Sequence, residues 1–333
     1  MNIDIRKNIY EEIKNLLASA RENIVSNVNS TMTKTYFLIG KRIVEEEQNG
    51  NERAEYGEEL IKNLSLRLSK EFGKGFSKTN LKQMKSFYLA YGKGQTVSDQ
   101  FKLSWSHYLI LMRIENIKER NFYEIESIEN NWSLRELRRQ IDSALYERLV
   151  LSIDKEKIKL LSLKGQILEK PEDVVKDPYV LEFLGLEEKS DYSENELETA
   201  IINNLEKFIM ELGKGFLFQG RQVRFTFDEE HYFVDLVFYN RLLKCFVLID
   251  LKIGKLKHQD LGQMQMYVNY YDRFVKLPDE NKTIGIIICK EKNDTLVRMT
   301  LPEDNQQIFA SRYMTVLPSK EDLKKIIDET DKK

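Results

Sequence analysis

Apolar residues recur at steps of three and four through the first 150 positions, then gather into strand-like runs after about residue 193. Ile9, Ile13, Leu16 and Leu17 set the step at the start, and Leu134, Leu137, Ile141 and Leu145 repeat it near the end of that stretch. A period near 3.6 marks amphipathic helices. Residues 1–150 are therefore predicted as a mainly α-helical domain, with breaks at Gln48-Asn49-Gly50-Asn51 and Tyr91-Gly92-Lys93-Gly94. Inside it, residues 58–91 predict a helix from Glu58 to Glu71, a turn at Phe72-Gly73-Lys74-Gly75-Phe76-Ser77, and a second helix from Thr79 to Tyr91. Ser77 is the expected cap of that second helix, and Leu81, Met84, Tyr88 and Tyr91 its inward stripe.

Residues 151–192 carry Pro171, Pro178 and acidic clusters and are taken as a connector with short helices. From 193 the pattern changes. Ser193 with Glu196 predicts a capping box, opening a helix to Leu212 that stops at Gly213-Lys214-Gly215. Strand-like runs follow at 221–227, 232–239 and 244–252, with a hairpin turn near Asn240-Arg241. A helix is expected from about Gln259 to Tyr271, then strands at Thr283–Lys290 and Tyr313–Leu317. This order predicts an α/β C-terminal domain over 193–333, a mixed sheet flanked by helices, preceded by the α-helical N-terminal domain.

Composition fits a soluble globular chain: of 333 residues, 41% are hydrophobic and 32% charged. The 52 Lys and Arg nearly balance the 54 Asp and Glu, so global charge names no partner, whereas its distribution does. Residues 62–93 hold Lys62, Arg67, Lys70, Lys74, Lys78, Lys82, Lys85 and Lys93 against Glu71 alone, while 171–199 hold ten acids against Lys176 and Lys189. One region thus suits a polyanion and another repels it. Cys245 and Cys289 lie in apolar runs and form no disulfide framework, and Met1-Asn2-Ile3-Asp4-Ile5-Arg6-Lys7 has no signal-peptide core. No apolar run approaches the roughly 18 residues of a membrane span. A cytoplasmic protein without a membrane partner is expected. His107, His231 and His258 are far apart and lack cysteine pairs, which argues against zinc.

The candidate chemistry lies in the two most apolar runs, Tyr232–Tyr239 and Cys245–Lys252, which carry Asp235, Asp250 and Lys252. An ionised group buried without a partner costs several kcal/mol or shifts its pKa until neutral. Strand side chains alternate faces at about 3.3 Å per residue, so Asp250 and Lys252 share a face roughly 6.6 Å apart. A hairpin turning near Asn240 brings Asp235 toward Asp250. Two converging carboxylates can hold Mg²⁺, which accepts few protein oxygens and keeps its waters. A lysine beside them orients a water or compensates negative charge. The structural alternative is a plain Asp235–Lys252 ion pair. On a continuous helix Ile202, Leu205 and Ile209 fall within about 40° of Glu198, placing this acid in the apolar stripe, as a metal-shell residue or as a favourable charge at a helix start. Lys255 and Lys257 lie at the mouth of this arrangement, suited to phosphate. Gln263, Tyr267 and Tyr270 share one helix face, with Gln263 either contacting phosphate or metal water or belonging to an ordinary half-buried face. His258 fits a solvent-exposed loop better than an acid–base role.

Asp235 followed by Asp250-Leu251-Lys252 resembles the PD-(D/E)xK signature of restriction-endonuclease-like nucleases. The longer pattern is similar to the bacterial YhcG-like nucleases: Phe233–Tyr239, Leu248–Lys252, Gly262-Gln263-Met264 and Tyr267. In the N-terminal half, Leu103-Ser104-Trp105-Ser106-His107-Tyr108, Asn131-Trp132-Ser133 and Arg135–Ile141 resemble that family's helical domain. The resemblance implies a restriction-endonuclease-like fold and a Mg²⁺-dependent phosphodiesterase, Mn²⁺ being the alternative ion, acting on nucleic acid and preferentially DNA. It implies Asp235 and Asp250 as metal ligands, Lys252 as water-orienting base or charge stabiliser, Glu198 as the helix carboxylate and metal ligand, and Gln263 as an auxiliary catalytic residue. Val234 stands where the signature has proline, and Asp250 replaces the frequent glutamate one methylene longer; neither removes the chemistry.

Lys78, Lys82 and Lys85 line one face of the helix after the glycine turn, as duplex phosphate contacts or a solvated face. Arg135, Arg138 and Arg139 form a second basic cluster that could equally pair with Glu126, Glu129 or Glu136. The leading expectation is a DNA endonuclease. Two readings stand against it: a nuclease-fold adaptor of a defence or restriction assembly without cleavage of its own, and an RNA-directed nuclease. Protein partners in such an assembly and self-association are compatible with each.

Overall fold

The computed structural model describes residues 2–49, 54–92, 101–152, 155–186, 192–321 and 323. Of the expected breaks at 48–51 and 91–94, residues 50, 51, 93 and 94 lie outside them, while Gln48, Asn49 and Tyr91 are helical. The chain divides into two compact units, Met1–Arg138 and Arg139–Lys333.

The first unit is helical: α1 (Asn2–Asn49), α2 (Ala54–Phe72), α3 (Lys78–Tyr91), α4 (Trp105–Leu111) and α5 (Ile117–Glu129). A 3₁₀ turn, Lys74–Phe76, joins α2 to α3, and the Ser77 hydroxyl accepts the Asn80 N–H at 3.3 Å as the cap of α3. Leu81, Met84, Phe87 and Tyr91 are the buried stripe of α3, with Tyr88 half-buried. Leu81 and Met84 meet Ile43 of α1 and Ile61 of α2 in the unit's aliphatic core. The helix α6 (Leu134–Asp142) carries the division between the units.

The second unit is a mixed six-stranded sheet with helices on both faces. After α7 (Leu145–Ser152) and α8 (Lys155–Lys164) come β1 (Tyr179–Val180), α9 (Glu194–Asn203), α10 (Leu205–Leu212), β2 (Phe216–Phe227), β3 (Glu230–Asn240), β4 (Cys245–Lys255), α11 (His258–Tyr270), β5 (Ile284–Glu291), α12 (Asp294–Thr300) and β6 (Ile308–Met314). The strand order is β1-β6-β5-β4-β3-β2; β3 runs antiparallel to both of its neighbours, β2 and β4, and β4, β5, β6 and β1 run parallel. Residues 171–186, read from sequence as connector, thus supply β1, which pairs with β6 through Tyr179 and Val180.

Alternation along β4 builds both cores. Val247, Ile249 and Leu251 pack with Leu197, Ile201 and Phe208 of α9 and α10. Leu248 joins the opposite cluster with Leu261, Met264 and Tyr267 of α11. Three expectations shift. The helix predicted over 193–212 breaks at Asn204, whose backbone (φ −121°, ψ 31°) leaves the helical region. β2 begins at Phe216, not 221, because a bulge between Phe218 and Gly220 hides the alternation. The last strand is Ile308–Met314 rather than 313–317.

Candidate active site at the parting of two strands

The β3–β4 ladder runs from Asn240–Cys245 to Leu236–Ile249 and ends there. The next position on each strand is an acid, Asp235 on β3 and Asp250 on β4. Beyond the ladder the Leu251 N–H donates to Asp235 Oδ2 at 2.8 Å, so a carboxylate takes the place of a strand carbonyl. Asp250 is buried, and its Oδ2 lies 2.8 Å from Lys252 Nζ, a close ion contact. The same ammonium stands 3.6 Å from Glu194 Oε2 at the start of α9.

The electrostatics follow from crowding. Burial, and then the neighbouring Asp235 charge, push Asp250 up to about 7, with Lys252 pulling the other way. Burial would lower Lys252, but Asp250 outweighs it and the ammonium is held more firmly than usual. A further cation close to Asp250 would relieve the crowding that raises it. Burial, with Asp250 next, likewise pushes the Tyr267 hydroxyl up to about 12.

Glu198 is buried on α9, capped by the Ser193–Glu196 box: Ser193 N–H donates to Glu196 Oε2 at 2.7 Å, and Glu196 N–H to Ser193 Oγ at 3.2 Å. On the wheel of a continuous helix it would group with Ile202, Leu205 and Ile209. The break at Asn204 ends that wheel, and the fully buried stripe is instead Leu197, Ile201, Phe208 and Leu212. Glu198 is covered by β2: Arg221 Nε lies 2.8 Å from Oε1, and Gln222 Nε2 donates to Oε2 at 2.5 Å. Gln222 also donates to Asp235 Oδ1 at 3.0 Å, linking the two acids. Sequence reasoning missed Gln222, Arg221 and Glu194. Gln222 has no apolar pattern to flag it; only the strand register sets it opposite Asp235.

Gln263 Nε2 donates to the Tyr267 hydroxyl at 2.5 Å, and that hydroxyl donates to the Phe233 carbonyl at 2.8 Å, anchoring α11 to β3 two residues before Asp235. Lys255, Lys257 and His258 are exposed where β4 passes into α11. The lysines of α3 are placed less uniformly. Lys78 is exposed, Lys82 Nζ lies 3.7 Å from Glu58, and Lys85 Nζ lies 2.5 Å from Glu47.

Among the described residues, no three His, Cys, Asp or Glu side chains converge as a ready-made metal cage. The donors at hand are carboxylate oxygens without thiol or imidazole, and the raised Asp250 is what a close cation relieves. The set therefore fits a divalent ion that accepts oxygen ligands and brings its own waters. No helix among the described residues is long and apolar enough to cross a membrane.

Residues 172–328 match the YhcG PDDEXK nuclease domain and residues 12–148 the DUF1016 N-terminal domain. The chain is 40% identical over 351 residues to the protein named "Putative nuclease YhcG" of Escherichia coli (strain K12), covering 96% of this chain and 92% of that protein. Among solved structures, it is similar to a repair endonuclease from Pyrococcus abyssi (18% identity, TM-score 0.25, 37% of this chain and 48% of that one). It is also similar to EndoMS in a structure titled as a dsDNA complex (17% identity, TM-score 0.27, 40% of this chain and 51% of that one). The chain thus spans about half the length of those structural neighbours. The parting strands, their paired acids, the two domain matches and the 40% identical relative lead to one assignment: the chain belongs to the YhcG family of nucleases, with a PD-(D/E)xK domain of restriction-endonuclease-like fold behind a helical N-terminal region.

Proposed function

We propose that the chain is a metal-dependent endonuclease that hydrolyses DNA phosphodiester bonds, with Asp235, Asp250 and Lys252 as its catalytic set. The observation that carries this reading is the meeting of Asp235 and Asp250 where the β3–β4 ladder ends, with Lys252 held 2.8 Å from Asp250. Asp235 and Asp250 would hold the ion, Mg²⁺ or Mn²⁺, with Glu198 behind them. When bound, such an ion acidifies water and shields a phosphate from its attacker.

The remaining work falls to the protein. Lys252 carries a fixed positive charge beside the acids, suited to orienting a water and to compensating charge that develops on the phosphate. Gln263 and Tyr267 hold α11 against β3 and so keep Asp235 in place. Lys255 and Lys257, exposed beside the site, are suited to flanking phosphates, and Lys78, exposed on α3 of the first unit, is suited to a phosphate contact of its own.

Asp235→Ala and Lys252→Ala should each lower DNA cleavage by about 100-fold or more, with circular dichroism unchanged. Assays on duplex, branched and single-stranded DNA and on RNA, with purified variants, check this. Undiminished cleavage by either variant contradicts the catalytic assignment, and cleavage confined to RNA contradicts the substrate.

A further inference from the structure

Side chains on a strand alternate sides, so Arg221 and Gln222 should point to opposite faces of β2. Both nevertheless reach Glu198, Arg221 at Oε1 (2.8 Å) and Gln222 at Oε2 (2.5 Å). The backbone of Gln222 explains this: its φ is 45°, in the left-handed region that glycine adopts freely and glutamine does not. That rotation turns two consecutive side chains toward one acid. It also sets the Gln222 amide 3.0 Å from Asp235 Oδ1, while the other oxygen of Asp235 is held by the Leu251 N–H. Asp235 lies on β3 just past the end of the β3–β4 ladder and Glu198 on a separate helix, and one side chain hydrogen-bonds both. Backbone held in a sparsely populated conformation at such a point is a sign of function.

We infer that Gln222 is a positioning residue that sets Glu198 and Asp235 at a common spacing for a divalent cation. This rests on the metal-dependent reading above. Arg221 supplies a positive charge beside the buried Glu198; Gln222 supplies the link, because a primary amide offers two N–H donors to two acceptors. Groups that orient ligating carboxylates in this way typically contribute about 10–100-fold to metal affinity.

The test is calorimetric titration of the intact chain with Mn²⁺, without nucleic acid, for the parent, Gln222→Gly and Gln222→Ala, with circular dichroism to verify the fold. Glycine accepts the left-handed backbone while removing the side chain and its amide, whereas alanine removes the amide and keeps a Cβ in the strained conformation. Both variants should bind Mn²⁺ about 10–100-fold more weakly than the parent. Parent-like or tighter binding by Gln222→Gly overturns the inference, as does a loss confined to one of the two variants, which would trace the effect to the backbone. A parent that binds no Mn²⁺ contradicts the metal-dependent reading itself, and this inference with it. A binding parent with an unaffected glycine variant contradicts Gln222 alone.

Discussion

Among individual residues, the site and the scaffold use buried charge in opposite ways. Asp250 sits beside a second acid and is pushed up to about 7, poised for a cation. Glu211, at the end of α10, is fully buried, yet it is answered on every side. It accepts Arg148 Nη1 at 2.5 Å, Arg139 Nη2 at 3.3 Å and the Val180 N–H at 3.0 Å, and Lys176 donates to its carbonyl. Burial alone would raise its pKa; Arg148, Lys176 and Arg139 overcome that and bring it to about 2. A depressed carboxylate contributes stability that is complete above its ordinary value of 4.5 and is lost as pH falls toward about 2. Glu211→Gln leaves the buried Arg148 without its counter-charge and should cost about 3–5 kcal/mol near neutral pH. Urea unfolding at several pH values checks this: the gap between parent and variant should narrow as pH falls from 4.5 to 2, and a constant gap contradicts the assignment.

For the elements, the α11–β5 contact shows what holds the site's second wall. Gly285 lies under α11, where an added Cβ would meet Met264 Sδ at 2.5 Å and Val268 Cγ2 at 2.9 Å. Gly285→Ala should therefore destabilise the fold by about 1–3 kcal/mol, read as a lower melting temperature. Because α11 carries Gln263 and Tyr267, cleavage should fall as well. A melting temperature equal to the parent's contradicts that packing. The sequence made part of this layout legible. Ser193 and Glu196 announce the start of α9, and the apolar runs around Asp235 and Asp250 announce two neighbouring strands. Other features depend on information that spacing lacks. Asn204 breaks a helix whose apolar period continues across it, β1 is two residues long, and the β2 bulge disguises the first strand. Gln222 is the clearest case, because its role needs both the register opposite Asp235 and a left-handed backbone at a residue other than glycine.

Over the whole molecule, a near-neutral chain gathers its candidate catalytic acids at one strand parting and spreads its cationic residues over several places. Of the three α3 lysines singled out as phosphate contacts, Lys85 and Lys82 face Glu47 and Glu58, while Lys78 is exposed. A sequence count of cations cannot separate these cases, because pairing depends on which helix lies alongside. The charged triad was readable for a simpler reason: ionised groups in the most apolar strands demand a partner wherever the fold puts them. Each part of the chain matches its own family, and the nuclease-domain match falls in the second unit. The most direct measurement is cleavage of end-labelled duplex DNA by the purified chain with Mg²⁺ or Mn²⁺, then with excess EDTA, then with the ion restored. Cleavage that appears with the ion, stops with the chelator and returns on replenishment is the predicted result. Cleavage that persists in EDTA, or never appears with either ion on any nucleic acid, contradicts the account.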